Sequence, residues 1–229
     1  MSNVLDARSE ILARIRSALG RDASAPNADA AWSAIARNYQ QAGDLDPVNC
    51  VELLVDRLHD YGADVSHCPQ SQLAATIAGI LRRRNKKRML VSPDIGPAWL
   101  SHDAGCTFIV DDALSYEAID DCDGVLTGCI AAIAATGTLC LCHQSGSSES
   151  IGGRPLQCRR ALTLIPDYHL CIVRASDVVK TVPEAIRMLD SHKKQPITLI
   201  SGPSATADIE MTRIQGVHGP RVLDVVIVD

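Results

Sequence analysis

The sequence predicts an α/β domain built on a largely parallel sheet with helices layered against it. Short apolar runs alternate with segments of helical periodicity through most of the chain, the signature of strand–helix–strand units. The composition can fill such a core: of 229 residues 46% are hydrophobic and 21% charged, the balance of an ordinary packed domain. Aromatic residues make up only 3%, so Ile, Leu, Val, Ala and Cys must do the packing.

Taken in order, Leu5 to Leu19 reads as a helix. Leu12, Ile15 and Leu19 recur on one face, while Arg8, Glu10, Arg14 and Arg16 occupy the others. Gly20 stops it, and the Ala-, Ser-, Asp- and Pro-rich stretch that follows reads as a linker. Residues 1–29 are therefore expected to form an N-terminal helical arm, packed on its own domain or on a neighbouring subunit, with residues 30–229 as the α/β domain. Ala30 to Gln41 carries a short helix. Pro47 starts a stronger one, with Val51, Leu54, Val55 and Leu58 on one face. Ala63 to His67 is a strand, Ser71 to Arg84 a helix, Arg88 to Ser92 a strand, Asp94 to Leu100 a helical turn and Thr107 to Val110 a strand. Gly124 to His143 carries no charge and reads as strand, tight turn at Thr136-Gly137-Thr138, and strand. After a Ser- and Gly-rich loop over Gln144 to Gln157, strands are expected at Arg160 to Ile165 and Tyr168 to Val173. A helix over Thr181 to Ser191, with Pro183 in its first turn, leads to the last two strands, Ile197 to Ile200 and Val222 to Val228.

Several function classes are disfavoured. A net charge of −5 argues against a general nucleic-acid binder, and the scarcity of aromatics against base stacking. The basic run Arg82 to Arg88 reads as the cationic end of a helix. No uninterrupted apolar stretch reaches the roughly 18 residues of a membrane span. No signal-peptide pattern opens the sequence, and nine irregularly spaced cysteines read as reduced thiols, so a cytoplasmic location is expected.

Candidate chemistry concentrates in the last third of the chain. At Ser201-Gly202-Pro203-Ser204 small residues follow a strand, and backbone N–H groups there could meet a phosphate or carboxylate. Asp208 and Glu210 fall where the first turn of a helix is expected, with Gly216 placed to end it. Pro203 lacks an N–H and the two acids already neutralise that helix end, so a purely structural turn stands beside the binding reading. His218, flanked by Val217 and Gly219, has the freedom and pKa range for acid–base work or ligand contact, or is simply structural. Thr136-Gly137-Thr138 offers two hydroxyls around a glycine, either to grip an anion or to turn the chain. Cys140, Cys142 and His143 tempt as metal ligands, but on a strand His143 points away from the two thiols, and no Cys-x-x-Cys pair occurs. No metal and no cofactor is expected in this chain.

The ordered motifs Ile133 to Leu139, Leu164 to His169 with Cys171 to Val173, Ser201 to Glu210 and Gly216 to Pro220, together with the Arg8 to Arg16 helix, resemble the lactate-utilization protein C, or LUD-domain, family. The resemblance spans nearly the whole chain. It implies a three-layer α/β fold like that of the ribose-isomerase and CoA-transferase group. It also implies a role in oxidising L-lactate to pyruvate beside iron–sulfur partner subunits. Many members carry Glu just before Thr-Gly-Thr, where this chain has Ala135. The candidate ligand-binding set is thus Thr136, Gly137, Thr138, Ser201, Gly202, Ser204, Asp208 and His218, facing a small anionic ligand. Two alternatives stay open: a stand-alone enzyme for a phosphorylated, CoA-linked or folate-type metabolite, and a ligand sensor without a reaction. Whether the chain is catalytic, and whether it forms a homo-oligomer, is left open by the sequence.

Overall fold

The computed structural model describes residues 4–20, 28–92, 95–101, 104–143, 159–206, 214–215 and 219–229. The chain divides into two compact units, Met1–Tyr39 and Gln40–Asp229. The first contains helices α1 (Val4–Ala18) and α2 (Ala28–Ser33). Gly20 takes the left-handed conformation at the end of α1, and the helix expected to reach Gln41 stops at Ser33. Trp32 carries the Arg37 guanidinium 5.1 Å from its ring centre.

In the second unit the strands are β1 (Asp64–Cys68), β2 (Arg88–Val91), β3 (Thr107–Val110), β4 (Gly124–Gly128), β5 (Ala131–Ile133) and β6 (Thr138–Cys142). They continue with β7 (Tyr168–Arg174), β8 (Val178–Val179), β9 (Ile197–Ile200), β10 (Ala205–Thr206), β11 (Ile214–Gln215) and β12 (Val222–Val228). The helices are α3 (Pro47–Asp60), α4 (Leu73–Arg83), α5 (Tyr116–Asp120) and α6 (Val182–Leu189). A six-stranded sheet in the order β1-β12-β7-β4-β2-β3 is parallel throughout, because every connection between its strands is long enough to cross over.

Period-two alternation divides the core. On β12, Val226 and Val228 join Tyr168, Leu170 and Ile172 of β7 beneath Ile77, Ile80 and Leu81 of α4. The intervening Leu223, Val225 and Ile227 join Cys171 and Val173 under Cys50, Leu54 and Leu58 of α3. Helix α3 starts where Pro47 and the Asp46 carboxylate, accepting from the N–H groups of Val48 and Asn49, satisfy its first turn. In α6, Thr181 and Glu184 form a capping box.

Three differences from the sequence expectation matter. The strands of the last half do not all join one sheet: β8-β5-β6-β9 form a second, mixed sheet. In the segment that carries β5 and β6, Ala132, Ala134, Leu139 and Leu141 share the α3 core, while Ile130, Ile133, Cys140 and Cys142 pack on Ala185 and Leu189 of α6. Being uncharged on both faces, this segment is sandwiched rather than exposed. Second, Arg160–Thr163 is a 3-10 turn instead of a strand, closed by the Thr163 hydroxyl donating to the Arg160 carbonyl at 3.0 Å. Third, Ala205–Thr206 and Ile214–Gln215 pair antiparallel where a helix was expected to begin and end; Asp208, Glu210 and Gly216 lie outside the described residues.

Candidate functional site

The antiparallel register of β6 and β9 pairs Leu139 with Ile200, so the next residues, Thr138 and Ser201, meet across the ladder. Their hydroxyls lie 2.8 Å apart, and Thr136 Oγ1 adds a 2.7 Å hydrogen bond to Thr138 Oγ1. Two motifs separated by 63 residues in the chain thus become one row of hydroxyls. Gly137 (φ 58°) and Gly202 (φ 85°) let this row approach the end of α3. A Cβ on the first would stand 2.8 Å from Arg57 Cβ, and on the second 2.5 Å from Tyr61 Cβ. Ser204 N–H donates to the Pro220 carbonyl at 2.9 Å, which ties the Ser-Gly-Pro-Ser loop to the end of the last glycine-rich motif.

Beside this loop lies a cavity of about 290 Å³. Its walls are Thr198 to Ala205 from β9 and the following loop, Thr163 and Leu164 from the 3-10 turn, Pro220 and Leu223 at the start of β12, and His169 of β7. Of the residues singled out in the sequence, Ser201, Gly202 and Ser204 line it. Thr138 stands behind Ser201 and holds it, and Thr136 and Gly137 stand one step further back. Asp208 and His218 lie outside the described residues. Ala135, at the position of the family's Glu, is exposed and donates its N–H to the Lys180 carbonyl.

His169 is the residue that sequence reasoning passed over. Strand alternation puts it on the same face as Cys171 and Val173, between its register partners Val125 of β4 and Leu223 of β12. It is 1% exposed, and its Nε2 is 2.7 Å from Thr127 Oγ1. Burial, with a smaller contribution from His143, pushes its pKa down to about 4, so the imidazole is neutral near pH 7. His143 is itself buried, with Nε2 2.8 Å from the Thr198 hydroxyl on the cavity wall. One histidine therefore lines the cavity and a second stands behind Thr198, and the lining among the described residues has hydroxyls but no Lys or Arg. The only hint of His169 in the sequence was its place within the Leu164 to His169 motif; a histidine in an apolar strand otherwise reads as core.

Cys140 and Cys142 face the α6 core, and burial raises both thiols, Cys140 to about 11, so neither is a thiolate near pH 7. Among the described residues no three His, Cys, Asp or Glu side chains are placed to hold a metal ion. A larger cleft, about 710 Å³, runs along α3 between Val48, Val51, Val55, His59, His67 and Asp229. It contains none of the motif residues, so the smaller cavity is the better candidate.

Fold and cavity together define an α/β protein whose C-terminal motifs and central strands enclose a hydroxyl-lined pocket backed by neutral imidazole. The chain belongs to the LUD-domain family, whose pattern it matches over residues 51–228. It is 40% identical over 188 residues to the lactate utilization protein C of Deinococcus radiodurans, covering 80% of this chain and 82% of that one. A lactate utilization protein C from an Exiguobacterium species is 25% identical and covers 93% and 92%. The crystal structure of a DUF162 family protein from Deinococcus radiodurans superposes with a TM-score of 0.65 at 34% identity, covering 81% of this chain and 99% of that one. No helix among the described residues is long and apolar enough to cross a membrane.

Proposed function

We propose that this chain serves L-lactate utilisation as a component that holds a small carboxylate in the cavity beside Ser201, Ser204 and His169, with iron–sulfur partner proteins carrying the electrons. The observation that carries the reading is the hydrogen bond from Thr138 to Ser201, which joins the Thr136–Thr138 motif to a Ser201–Ser204 loop that lines a cavity sized for a small metabolite. The relatives' names supply the pathway. In this reading the chain carries no cofactor of its own. A phosphorylated or CoA-linked ligand is less well supported, because the described lining offers no Lys or Arg to meet phosphate charge.

Two measurements test it. L-lactate or pyruvate should raise the thermal midpoint of the isolated protein, and Ser201→Ala should reduce the increase. Equal midpoints with and without either compound would remove the ligand from the proposal. Affinity capture from lactate-grown cells should recover iron–sulfur proteins; their absence from the captured material would remove the partnership.

A further inference from the structure

A carboxylate entering this cavity has no fixed cation to meet among the described residues, yet charge cannot be buried uncompensated. The group that can answer it is His169. Its Nε2 is engaged by Thr127, and Nδ1 has no hydrogen-bond partner among the described residues. On a residue that is 1% exposed and lines a cavity, a ring nitrogen without a protein partner is where a ligand would complete the bonding. We propose that His169 is a ligand-contacting residue of this pocket and that a small carboxylate binds together with one proton, which His169 accepts. The imidazolium then donates both ways, Nε2–H to the Thr127 hydroxyl oxygen and Nδ1–H to the carboxylate. This rests on the reading of the cavity as a carboxylate site.

The surroundings of His169 leave few competitors for that proton. From β4 it meets the neutral Thr127 hydroxyl, and from β12 Leu223. On its own strand Cys171 shares its face. His143 at the end of β6 opposes protonation, so the cavity without ligand keeps His169 neutral. Among the described residues, Arg221 just ahead of β12 pairs with Asp167 at the surface, and Asp224 lies on the other face of β12 with Arg84. The carboxylate itself is the missing counter-charge.

The test is calorimetric titration of the full chain with sodium L-lactate from pH 5.5 to 7.5, in two buffers of different ionisation heat. Binding should tighten as pH falls, with a limiting slope of about tenfold per pH unit. The buffer dependence should report uptake approaching one proton per lactate. In His169→Asn the slope and the uptake should vanish. Because that variant removes a buried ring, nitrogen NMR of the wild-type histidine side chains provides a second readout: lactate at pH 6.5 should convert the His169 ring from neutral imidazole to imidazolium. Lactate binding whose affinity is flat with pH, with no proton taken up and a neutral His169 ring, would overturn this inference while leaving the cavity reading intact. Retention of the pH slope in His169→Asn would also overturn it. No lactate binding at any pH would overturn the cavity reading, and this inference with it.

Discussion

Tyr168 and His169 are neighbours in sequence on β7, but they project to opposite faces of the central sheet and meet opposite fates. On one face the Tyr168 hydroxyl donates to Asp224 at 2.8 Å, and Arg84 donates to both oxygens of the same carboxylate, at 2.9 and 2.6 Å. Lys86 completes the cluster 4.9 Å from the centre of the tyrosine ring. Every polar group of that cluster has found a partner within the protein. On the other face His169 has one nitrogen bonded to Thr127 and lines a cavity. The first arrangement fixes strand register; the second leaves bonding capacity for something that is not protein.

The comparison predicts its largest effect on the satisfied face. Asp224→Ala leaves the Arg84 guanidinium with Asp64 as its remaining carboxylate and the buried tyrosine hydroxyl without its acceptor, and should cost about 3 kcal/mol or more in denaturant unfolding. A loss under 1 kcal/mol would mean the cluster is peripheral to the fold.

His169 should reveal itself through pH. Its folded pKa lies below the ordinary 6.5, so the unfolded chain binds the extra proton first, and stability falls as pH drops from about 6.5 towards 4. The contribution lost across that window is about 3 kcal/mol, and His169→Asn should show a correspondingly flatter profile. Parallel profiles for the two proteins would show that His169 is not held neutral.

Gly202→Ala should cost about 2 kcal/mol, because it forces a side chain into left-handed backbone and against Tyr61. Smallest is Thr138→Val. Loss of the bond to Ser201 should cost about 1 kcal/mol in stability but weaken any lactate-induced thermal shift, since the Ser201 hydroxyl is then free to turn. An unchanged shift would mean that Ser201 does not touch the ligand.

The alternation of apolar runs and helices was sufficient to anticipate a parallel α/β core, because strand and helix periodicities are local properties of the chain. Helices α3 and α4 and strands β2, β3, β7 and β12 lie where that alternation puts them. The family, too, was readable from the ordered motifs. The division into two sheets was not. Residues 131–142 are apolar on both faces, and such a segment carries no record of which neighbours will cover it. The 3-10 turn at Arg160–Thr163 escaped for a similar reason: a short apolar run is ambiguous until a side chain such as Thr163 closes the turn.

The candidate site divides in the same way. Residue type alone marked the small, hydroxyl-bearing loops at Thr136–Thr138 and Ser201–Ser204, since turns and ligand contacts both select such residues. That Thr138 and Ser201 would touch depends on the antiparallel register of β6 and β9, a long-range pairing that neither motif contains. His169 became visible only in the tertiary structure. A histidine between apolar strand residues has no local signature, and its character comes from the strands on either side and from the cavity in front of it.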